Sequence, residues 1–377
     1  MSDRLNVAVV FGGTSQEHDV AVVSAQQLMD AADPRRINVI PVYMDFENRF
    51  FSGASLRKVQ TYRPKPSEMM PVRFGWGENG PELVAGGIAQ PLDAVLPVCH
   101  GPFGEDGRLQ GMLEMAGIPV TGFSAANSAI AMRKDATKAL VAASGVNVLS
   151  HVLAGRSDAP DWITEQVGNR YPVVVKPCNL GSSIGVGIAN GPEELGPLVE
   201  YVLGQDNLAL IEPKVPNLVE YNIAVRWADG EVRYSAIERP KTSAELLDFK
   251  EKYLSSGGGA KGAFLPSEGM LSLTREINPN IPAEQEALIK DYAARAFRAL
   301  GRRGAPRMDF MQDAATGEIW FNEINPIPGS YGFFLWEAAV EPLLYPELID
   351  HLVEEARATT LKSFDDPVPQ DAWLLPR

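Results

Sequence analysis

Two short apolar runs, each followed by a glycine-rich loop, constrain the fold of this chain most. Asn6-Val-Ala-Val-Val-Phe11 leads into Gly12-Gly13, and Asp93-Ala-Val-Leu-Pro-Val-Cys99 leads into His100-Gly-Pro-Phe-Gly-Glu-Asp-Gly107. Continuous apolar runs are typical of parallel strands that are buried on both faces. Because a helical pattern follows each loop, the alternation predicts an α/β doubly wound sheet. Ligands bind such sheets at the carboxyl ends of the strands, which is where both loops lie.

Further along the chain the pattern alternates between strands and helices. Apolar runs and alternation predict strands at 37–44, 118–122, 171–176, 208–212, 219–227 and 231–237. Helical periodicity predicts helices at 17–32, from the second loop to about 116, and at 124–145, 193–203, 285–300, 332–343 and 346–358. Residues 53–92, rich in Pro, Gly and charge, are predicted to be irregular. Residues 240–272 show no periodic pattern of apolar residues, and a loop of that length is typical of a lid over an active site.

Composition narrows the class of protein and its partners. With 377 residues, 45% hydrophobic and 22% charged, the chain is expected to be a soluble globular protein of two to three domains. No apolar run approaches the ~20 residues that span a bilayer, and no signal peptide is evident, so we expect a cytoplasmic protein without a membrane partner. The net charge of −14 disfavours nucleic acid as a partner, because phosphate binding needs a basic surface.

One predicted hairpin collects charged side chains. Its strands run through Arg307-Met-Asp309 and Asn322-Glu-Ile-Asn325, with a turn at 313–317. Alternation puts Arg307 and Asp309 on one face, and Glu323 and Asn325 on one face, so pairing would bring all four into one polar patch. Oxygen donors suit Mg²⁺, which also binds substrate phosphates, and a neighbouring arginine suits a developing anion. A hairpin with a solvated charged face is the simpler alternative.

A glycine-rich segment, Gly181-Ser-Ser-Ile-Gly-Val-Gly187, follows a predicted strand that ends at Lys176. Small residues let backbone N–H groups approach a phosphate closely, and a lysine on the preceding strand can neutralise it. The segment matches neither the Walker pattern nor the dinucleotide-binding pattern. With Lys134 upstream and the charged hairpin downstream it suits phosphate binding, whereas a flexible turn between strands is the alternative.

Other candidate residues lie on neighbouring loops. Glu212 and Glu220 flank residues 213–217, where a carboxylate could bind ribose hydroxyls and the backbone could pair with an adenine edge. Glu17, His100 and Glu105 lie on the two loops of the N-terminal sheet, where they could hold an amino group and a carboxylate. For each of them the alternative is a structural role, as a surface glutamate or a hydrogen-bonding histidine.

Taken in order, these motifs resemble one family. The matching blocks are Gly12–Val20, His100–Gly111, Met132–Lys138, Val175–Val186, Lys252-Tyr253, Arg307-Met-Asp309 and Asn322–Gly329. They resemble the ATP-grasp superfamily and, within it, the D-alanine–D-alanine ligases, over nearly the whole chain. The resemblance implies an α/β ATP-grasp fold, in which a doubly wound, Rossmann-like domain precedes two α+β units that sandwich ATP. The implied boundaries are 1–124 for the substrate domain, 125–213 for the small central domain, 214–360 for the catalytic domain and 361–377 for a tail.

The resemblance also implies ligands for individual residues. Those that would hold ATP are Lys134, Lys176, Ser183, Glu212, Glu220 and Lys252. The segment between Glu212 and Glu220 is one residue longer than the family spacing. Those that would hold two Mg²⁺ ions, for which Mn²⁺ could substitute, are Asp309, Glu323 and Asn325.

For the substrates and the chemistry, the resemblance implies a further set of roles. Glu17 would bind the amino group of the first substrate, with His100 on its carboxylate side. Arg307 and the Gly329 N–H would stabilise a tetrahedral oxyanion. Glu17, Ser182 and Tyr253 would form a hydrogen-bonded set that closes the 240–272 loop over an acyl phosphate, because water would hydrolyse that intermediate.

After Gly329 the chain departs from the family pattern. The dipeptide ligases usually carry Thr-x-x-Ser-Leu there, and the serine binds the carboxylate of the second substrate. Here Phe334 stands in place of that serine. Ser330, Tyr331 or a backbone group could substitute for it, or the second substrate could differ from D-alanine. Tyr253 favours an amine as the second nucleophile, since the related D-alanine–D-lactate ligases tend to have a histidine there.

The sequence therefore predicts an ATP-dependent ligase that joins two D-alanines through an acyl phosphate, as a step towards peptidoglycan. The alternative that Phe334 motivates is a ligase joining a D-amino acid to a different amine or to a hydroxy acid. A nucleotide-binding homologue without catalysis is disfavoured by the intact hairpin and lysines. The resemblance further implies a homodimer that assembles through the N-terminal domain.

Overall fold

The computed structural model describes residues 4–58, 62, 68–78, 80–182, 184–241 and 275–359. Within these ranges the strands form three sheets, of seven, four and five strands, which follow one another along the chain. Among the helices of the same ranges, none combines the length and apolar character needed to cross a lipid bilayer. Of the predicted lid at 240–272, only the first two residues are among those described.

The N-terminal sheet has a parallel centre. β1 (Leu5–Gly12) lies between β2 (Ile37–Met44) and β7 (Ala94–Pro97), and both pairings are parallel. α1 (His18–Ala31) follows the first glycine-rich loop, and α2 (Arg108–Met115) follows the second. The strands predicted at 6–11, 37–44 and 93–99 and the helices that follow the two loops are therefore confirmed. Both loops leave the carboxyl ends of neighbouring strands, where α/β sheets bind their ligands.

The prediction that residues 53–92 are irregular is wrong. They contain a 3-10 helix and three strands, β4 (Met70–Gly77), β5 (Gly80–Ala85) and β6 (Ile88–Pro91). Together with β3 (Phe50–Ser52) they extend the sheet in antiparallel fashion beyond β2. Most of their side chains are exposed or half-buried, so no continuous apolar run signals them. The doubly wound pattern is thus limited to the centre of this sheet, and 118–122 contributes a single bridge, from Val120 to Val95.

The central sheet is small and antiparallel. Two helices precede it in the chain, α3 (Ala125–Met132) and α4 (Lys134–Ala143). Its strands lie in the order β10 (Gly187–Ala189), β9 (Val173–Pro177), β11 (Leu208–Pro213) and β8 (Val152–Gly155). α5 (Pro160–Val167) and α6 (Pro192–Leu203) pack on one face through an apolar core. Lys176 and Glu212 alternate with those core residues along β9 and β11, so they lie on the opposite face.

The third sheet carries the charged hairpin. Its order is β14 (Arg275–Ile277), β13 (Glu231–Pro240), β12 (Leu218–Ala228), β15 (Arg307–Asp313) and β16 (Ile319–Asn325). The amphipathic α7 (Ala283–Ala299) covers one face of it. Residues of α3 and α4 join the same apolar core, so the stretch that begins the predicted central domain packs against this sheet.

After the hairpin the chain returns to the N-terminal sheet. A turn at Gly329–Gly332 leads into α8 (Phe333–Glu337), which is shorter than the helix predicted at 332–343. α9 (Tyr345–Thr359) then packs its apolar face against β1 and β7 in a shared core. The end of the described chain is therefore anchored on the first sheet, and the segment after Gly329 passes between the first and third sheets.

Candidate active site

The register of the hairpin brings its charged residues together. Arg307 pairs with Asn325 and Asp309 pairs with Glu323 across β15 and β16, which confirms the predicted pairing. The Arg307 guanidinium donates two hydrogen bonds to the Asp309 carboxylate, over 2.7 Å and 2.8 Å. This two-point contact fixes the orientation of both side chains, because a planar guanidinium and a planar carboxylate match only when aligned.

Asn222 and Glu238 extend the row of polar side chains from the hairpin across the neighbouring strands, and neither was predicted from the sequence. We call this set the polar row. Asn222 on β12 pairs with Asp309, and Glu238 on β13 pairs with Asn222. With its amide oriented to satisfy its neighbours, Asn222 donates to Asp309 Oδ1 over 3.2 Å. Both residues are buried, and Glu238 is paired with Arg275 at 3.3 Å. Nothing in the strand alternation of the sequence distinguishes them from surface residues; only the register of the neighbouring strands does.

Lysines from the central sheet and from α4 face the hairpin. Lys134, the first residue of α4, lies 3.2 Å from Glu323 Oε2 and also donates to the carbonyl of Leu180, directly before the glycine-rich segment. Lys176 at the end of β9 donates to Asn322 Oδ1 over 2.9 Å. One ammonium group therefore lies against the Glu323 carboxylate and the other against the Asn322 amide of β16. They lie at the boundary between two sheets, where the charge of a polyphosphate could be neutralised.

Glu212 lies between two lysines. Lys138 Nζ is 3.0 Å from one of its carboxylate oxygens, and Lys176 contacts the other. Burial by itself would raise the pKa of Glu212, but the charges of Lys176 and Lys138 outweigh it and lower that pKa to about 2. Its side chain is therefore ionised and occupied by the lysines, whereas its predicted role was to hold adenine. Lys138, which follows Lys134 by one helical turn, lies in the predicted helical region, but the sequence offers no reason to assign it a role.

Residues of the two N-terminal loops complete the surroundings. Glu17 lies directly before α1 and accepts a hydrogen bond from Ser182 Oγ, which links the first loop to the glycine-rich segment. Ser15 Oγ donates to the His100 carbonyl over 2.6 Å, which joins the first loop to the second. Burial lowers the pKa of His100, although the charge of Glu17 opposes this, so its imidazole is neutral near pH 7.

Glu105 connects the second loop to the third sheet. It accepts backbone hydrogen bonds from Gly101 over 2.6 Å and from Ile327 over 3.2 Å. Burial, followed by the charge of Glu17, raises the pKa of this carboxyl well above its ordinary value. Ile327 lies two residues before Gly329, so this contact holds the segment after the hairpin in place.

These parts line one cavity, to which all three sheets or their loops contribute. Its charged and polar lining residues are Glu17, His100, Glu105, Lys134, Ser182, Arg307, Glu323 and Asn325. The backbone of Gly181 and Gly329 contributes as well. The predicted residues of the first loops, the glycine-rich segment and the hairpin are thus brought together, while Glu220 is half-buried on β12 and is not part of this lining. Ser183, Lys252 and Tyr253 lie outside the described residues.

The oxygen donors of the hairpin suit a hard cation, since Glu323 and Asn325 line the cavity and Asp309 is paired with Glu323 across the two strands. Asp309, Glu323 and Asn325 offer only oxygen donors, and Asn325 Oδ1 is buried without a hydrogen-bond partner in the described structure. Such a set fits Mg²⁺, which binds a few protein oxygens together with phosphates and water. Among the described residues no group of three or more His, Cys, Asp or Glu side chains could hold a metal ion, so the predicted set of two carboxylates and an amide stays a prediction.

Comparisons with known proteins agree over nearly the whole chain. The family described as "D-ala D-ala ligase N-terminus" matches residues 6–123, and "D-ala D-ala ligase C-terminus" matches residues 140–354. The D-alanine–D-alanine ligase of Methylobacterium sp. (strain 4-46) is 34% identical, covering 94% of this chain and 92% of its own. That of Deinococcus radiodurans is 31% identical, covering 94% and 98%. This chain belongs to the D-alanine–D-alanine ligase family.

Solved structures share the same architecture. The D-alanine–D-alanine ligase from Coxiella burnetii superposes with a TM-score of 0.78 at 24% identity, over 95% of either chain. The VanG D-Ala:D-Ser ligase from Enterococcus faecalis superposes with a TM-score of 0.76 at 26% identity, over 94% of this chain and all of its own. The ATP-grasp fold expected from the motifs is therefore confirmed.

The turn after the hairpin has an unusual backbone conformation. Ser330 (φ 49°, ψ 32°) and Tyr331 (φ 55°, ψ 20°) both adopt the left-handed backbone conformation, which residues other than glycine rarely adopt. Ser330 Oγ contacts Gln27 and the Ser330 N–H donates to Ser24 Oγ, both on α1. The Tyr331 hydroxyl donates to the Pro97 carbonyl over 2.6 Å. Both hydroxyls proposed as substitutes for the missing serine are thus engaged with the N-terminal unit.

Phe334 lies beside a cation rather than beside a hydroxyl. The Arg275 guanidinium lies 5.0 Å from the centre of its ring. Arg275 also pairs with Glu238, and its Nε is buried with no hydrogen-bond partner in the part of the chain described. An aromatic ring attracts a guanidinium through its negative face, so Phe334 holds Arg275 near the polar row of the third sheet.

Proposed function

We propose that this chain is an ATP-dependent ligase that joins two D-alanines into D-alanyl-D-alanine, a precursor of peptidoglycan. The observation that carries the proposal is the cavity in which the hairpin residues Arg307, Glu323 and Asn325 meet Lys134 and Glu17. Asp309 is hydrogen-bonded to Arg307 beside it. Membership of the D-alanine–D-alanine ligase family supports the choice of substrate. Action in the cytoplasm is part of the proposal, because ATP is supplied there, and so are the homodimer and the three domain boundaries given above.

In the first step a carboxylate oxygen of the first D-alanine attacks the γ-phosphorus of ATP. The bond from that phosphorus to the bridging oxygen of ADP breaks, which yields an acyl phosphate and ADP. Lys134 and Lys176 neutralise the phosphate oxygens, while Asp309, Glu323 and Asn325 would hold Mg²⁺. The metal supplies positive charge that offsets the charge of the phosphoryl group. Because little covalent work falls to the protein, its contribution is positioning and electrostatic stabilisation.

The first substrate is oriented by the N-terminal loops. The Glu17 carboxylate pairs with its ammonium group, and Ser182, already bonded to Glu17, fixes that carboxylate. Neutral His100 can donate a hydrogen bond to the substrate carboxylate without competing for a proton. This arrangement directs one carboxylate oxygen towards the phosphate-binding lysines.

In the second step the neutral amine of the acceptor attacks the acyl carbon. The carbon–oxygen bond to phosphate breaks after a tetrahedral intermediate, phosphate leaves, and the amine loses its proton. Arg307 and the Gly329 N–H lie on the cavity wall where they can donate to the oxyanion. Losing one such donor costs about 3–4 kcal/mol of transition-state stabilisation in comparable sites.

The test is direct. Purified protein is mixed with ATP, Mg²⁺ and D-alanine, ADP release is followed by a coupled assay, and the product is identified by mass spectrometry. The proposal expects one ADP for each D-alanyl-D-alanine, no turnover with L-alanine, and no turnover in an Asp309→Asn control. Absence of both ADP and dipeptide under these conditions rejects the proposal.

A second candidate function, ligation of D-alanine to another acceptor, is favoured by the segment after Gly329. Phe334 offers no hydroxyl to an acceptor carboxylate, and those of Ser330 and Tyr331 are engaged elsewhere. The similar structure from Enterococcus faecalis is named as a D-Ala:D-Ser ligase, so acceptors vary among related enzymes. The test is a competition in which D-alanine, D-serine, D-lactate and other D-amino acids are offered as acceptors. Preference for D-alanine removes this candidate.

A further inference from the structure

The buried group of Lys138, Glu212 and Lys176 contains a lysine that the proposed reaction does not use. Lys138 is fully buried, on the fourth residue after Lys134 along α4, so both project from the same side of that helix. Lys134 reaches the cavity, whereas Lys138 ends 3.0 Å from Glu212 Oε2. A fully buried lysine is rare unless it is paired, because removing its charge from water is unfavourable.

The carboxylate of Glu212 is divided between the two lysines. One oxygen faces Lys138 and the other contacts Lys176, and Glu212 itself is only 2% exposed. Lys176 has a second contact, to Asn322 on the hairpin, so it spans the distance from the buried carboxylate to the polar row. The Lys138 side chain, in contrast, is completely buried.

Lys138 gives the buried group its net positive charge. Two ammonium groups and one carboxylate leave the group with a net charge of +1. Without Lys138 the remaining pair would be neutral, and Lys176 could bind a phosphate only by leaving a buried carboxylate unpaired, which is strongly unfavourable. With Lys138 in place, Glu212 keeps an ionic partner when Lys176 turns towards an anion.

Stability alone is a weak reason for this arrangement. A buried ion pair often contributes little to folding, because desolvation offsets the attraction between the charges. Burial also lowers the pKa of Lys138, and the charge of Lys176 adds to this, whereas the charge and hydrogen bond of Glu212 and the charge of Glu323 oppose it. A surplus positive charge held in the interior therefore makes physical sense where an anion is to be bound beside it.

We infer that Lys138 is a positioning residue for nucleotide binding: it compensates the charge of Glu212 so that Lys176 is free to bind a phosphate. The inference rests on the proposed function, because it needs a nucleotide at Lys176. It assigns to Glu212 the task of holding both lysines by its carboxylate.

The experiment measures the affinity of the full-length protein for ADP by calorimetry, which requires no turnover. Lys138→Met is expected to raise the Kd for ADP at least tenfold, because the group becomes neutral. The double variant Lys138→Met/Glu212→Gln restores a net charge of +1 and is expected to bind ADP within about threefold of the unmodified protein. Lys290→Met is the matched control, since it removes a lysine that pairs with Glu286 on the surface of α7, and it should leave the Kd unchanged.

Steady-state kinetics and thermal unfolding separate this role from a structural one. Lys138→Met should raise the KM for ATP more than it lowers kcat, and Glu212→Gln alone, with a net charge of +2, should bind ADP at least as tightly as the unmodified protein. Near-normal ADP affinity in a folded Lys138→Met variant overturns the inference. If that variant does not fold, weakened binding in Glu212→Gln or in the folded double variant overturns it instead. Failure of the unmodified protein to bind ADP at all contradicts the proposed function, not this inference alone.

Discussion

The charged hairpin and the turn that follows it lie next to each other in the chain, but they use their residues in opposite ways. On the hairpin, Arg307, Glu323 and Asn325 direct their side chains into the cavity. In the turn, Ser330 and Tyr331 direct their side chains away from it, into contacts with α1 and with the end of β7. Only the backbone of Gly329 remains at the cavity wall.

This difference shows which parts of the site tolerate change. Side chains that carry charge into the cavity cannot be exchanged without changing the chemistry. A turn that contributes a backbone N–H can vary in sequence as long as other contacts hold its conformation. In this chain the hydrogen bonds of Ser330 and Tyr331 hold these two residues in the left-handed conformation and offset its cost, which is roughly 1–3 kcal/mol for each residue.

The largest expected effect is on the hairpin. Arg307→Met should lower kcat about 10²–10³-fold, because it removes one of two donors to the oxyanion and leaves Asp309 without its partner. Rapid-quench measurement of acyl phosphate formation and of dipeptide formation assigns the loss to one step. A kcat within threefold of the unmodified enzyme contradicts the role given to Arg307.

A smaller effect is expected where the turn meets the acceptor. Phe334→Ser should lower the KM for D-alanine as acceptor about tenfold, because it introduces a hydroxyl that can donate to the acceptor carboxylate. Phe334→Ala is the matched control, which opens the same space without adding a hydroxyl. Equal changes of KM in the two variants mean that space, and not hydrogen bonding, limits the acceptor.

The anchor of the turn should have a still smaller effect. Tyr331→Phe removes the hydrogen bond to the Pro97 carbonyl, worth about 1 kcal/mol, and should lower kcat about fivefold without changing the KM for ATP. Tyr171→Phe is the control, since the Tyr171 hydroxyl has no hydrogen-bond partner within the described ranges. An unchanged kcat in Tyr331→Phe shows that the turn holds its conformation without this anchor.

A buried carboxyl outside both regions should affect stability alone. Burial raises the pKa of Glu355 on α9 to about 7, although the Gly304 N–H donates to it. Since the folded protein then holds a proton that the unfolded chain releases, the contribution of Glu355 to stability is complete below about pH 4.5 and is lost as the pH rises through 7. Glu355→Gln should therefore gain stability relative to the unmodified protein between pH 5 and 8, on the order of 1–3 kcal/mol. Urea unfolding at several pH values measures this, and a pH-independent difference contradicts it.

The sequence predicted secondary structure correctly where the pattern of apolar residues along the chain matches the burial of their side chains. The apolar runs of β1 and β7 and the alternation of Arg307 with Asp309 are local signals, and the structure contains the corresponding strands. β4 escaped prediction because Pro71, two glycines and exposed side chains mask its alternation.

Long-range pairing and unusual backbone conformation lie beyond such patterns. The contact of Lys138 with Glu212 joins a helix to a distant strand, and the contact of Glu105 with Ile327 joins the first unit to the third. The left-handed conformation of Ser330 and Tyr331 is equally hidden, because nothing in those residue types favours it. The residues that carry charge into the cavity were named from the sequence, whereas the long-range contacts of Glu105 and Lys138 could not be predicted from it.

The central claim, that the cavity activates a carboxylate as an acyl phosphate before an amine attacks, is tested most directly by oxygen transfer. D-Alanine labelled with ¹⁸O in both carboxylate oxygens is converted with ATP and Mg²⁺, and the phosphate released is examined by mass spectrometry. Attack of the carboxylate on the γ-phosphorus, followed by cleavage of the carbon–oxygen bond, predicts one ¹⁸O in each phosphate. Dipeptide formation that releases unlabelled phosphate contradicts the claim.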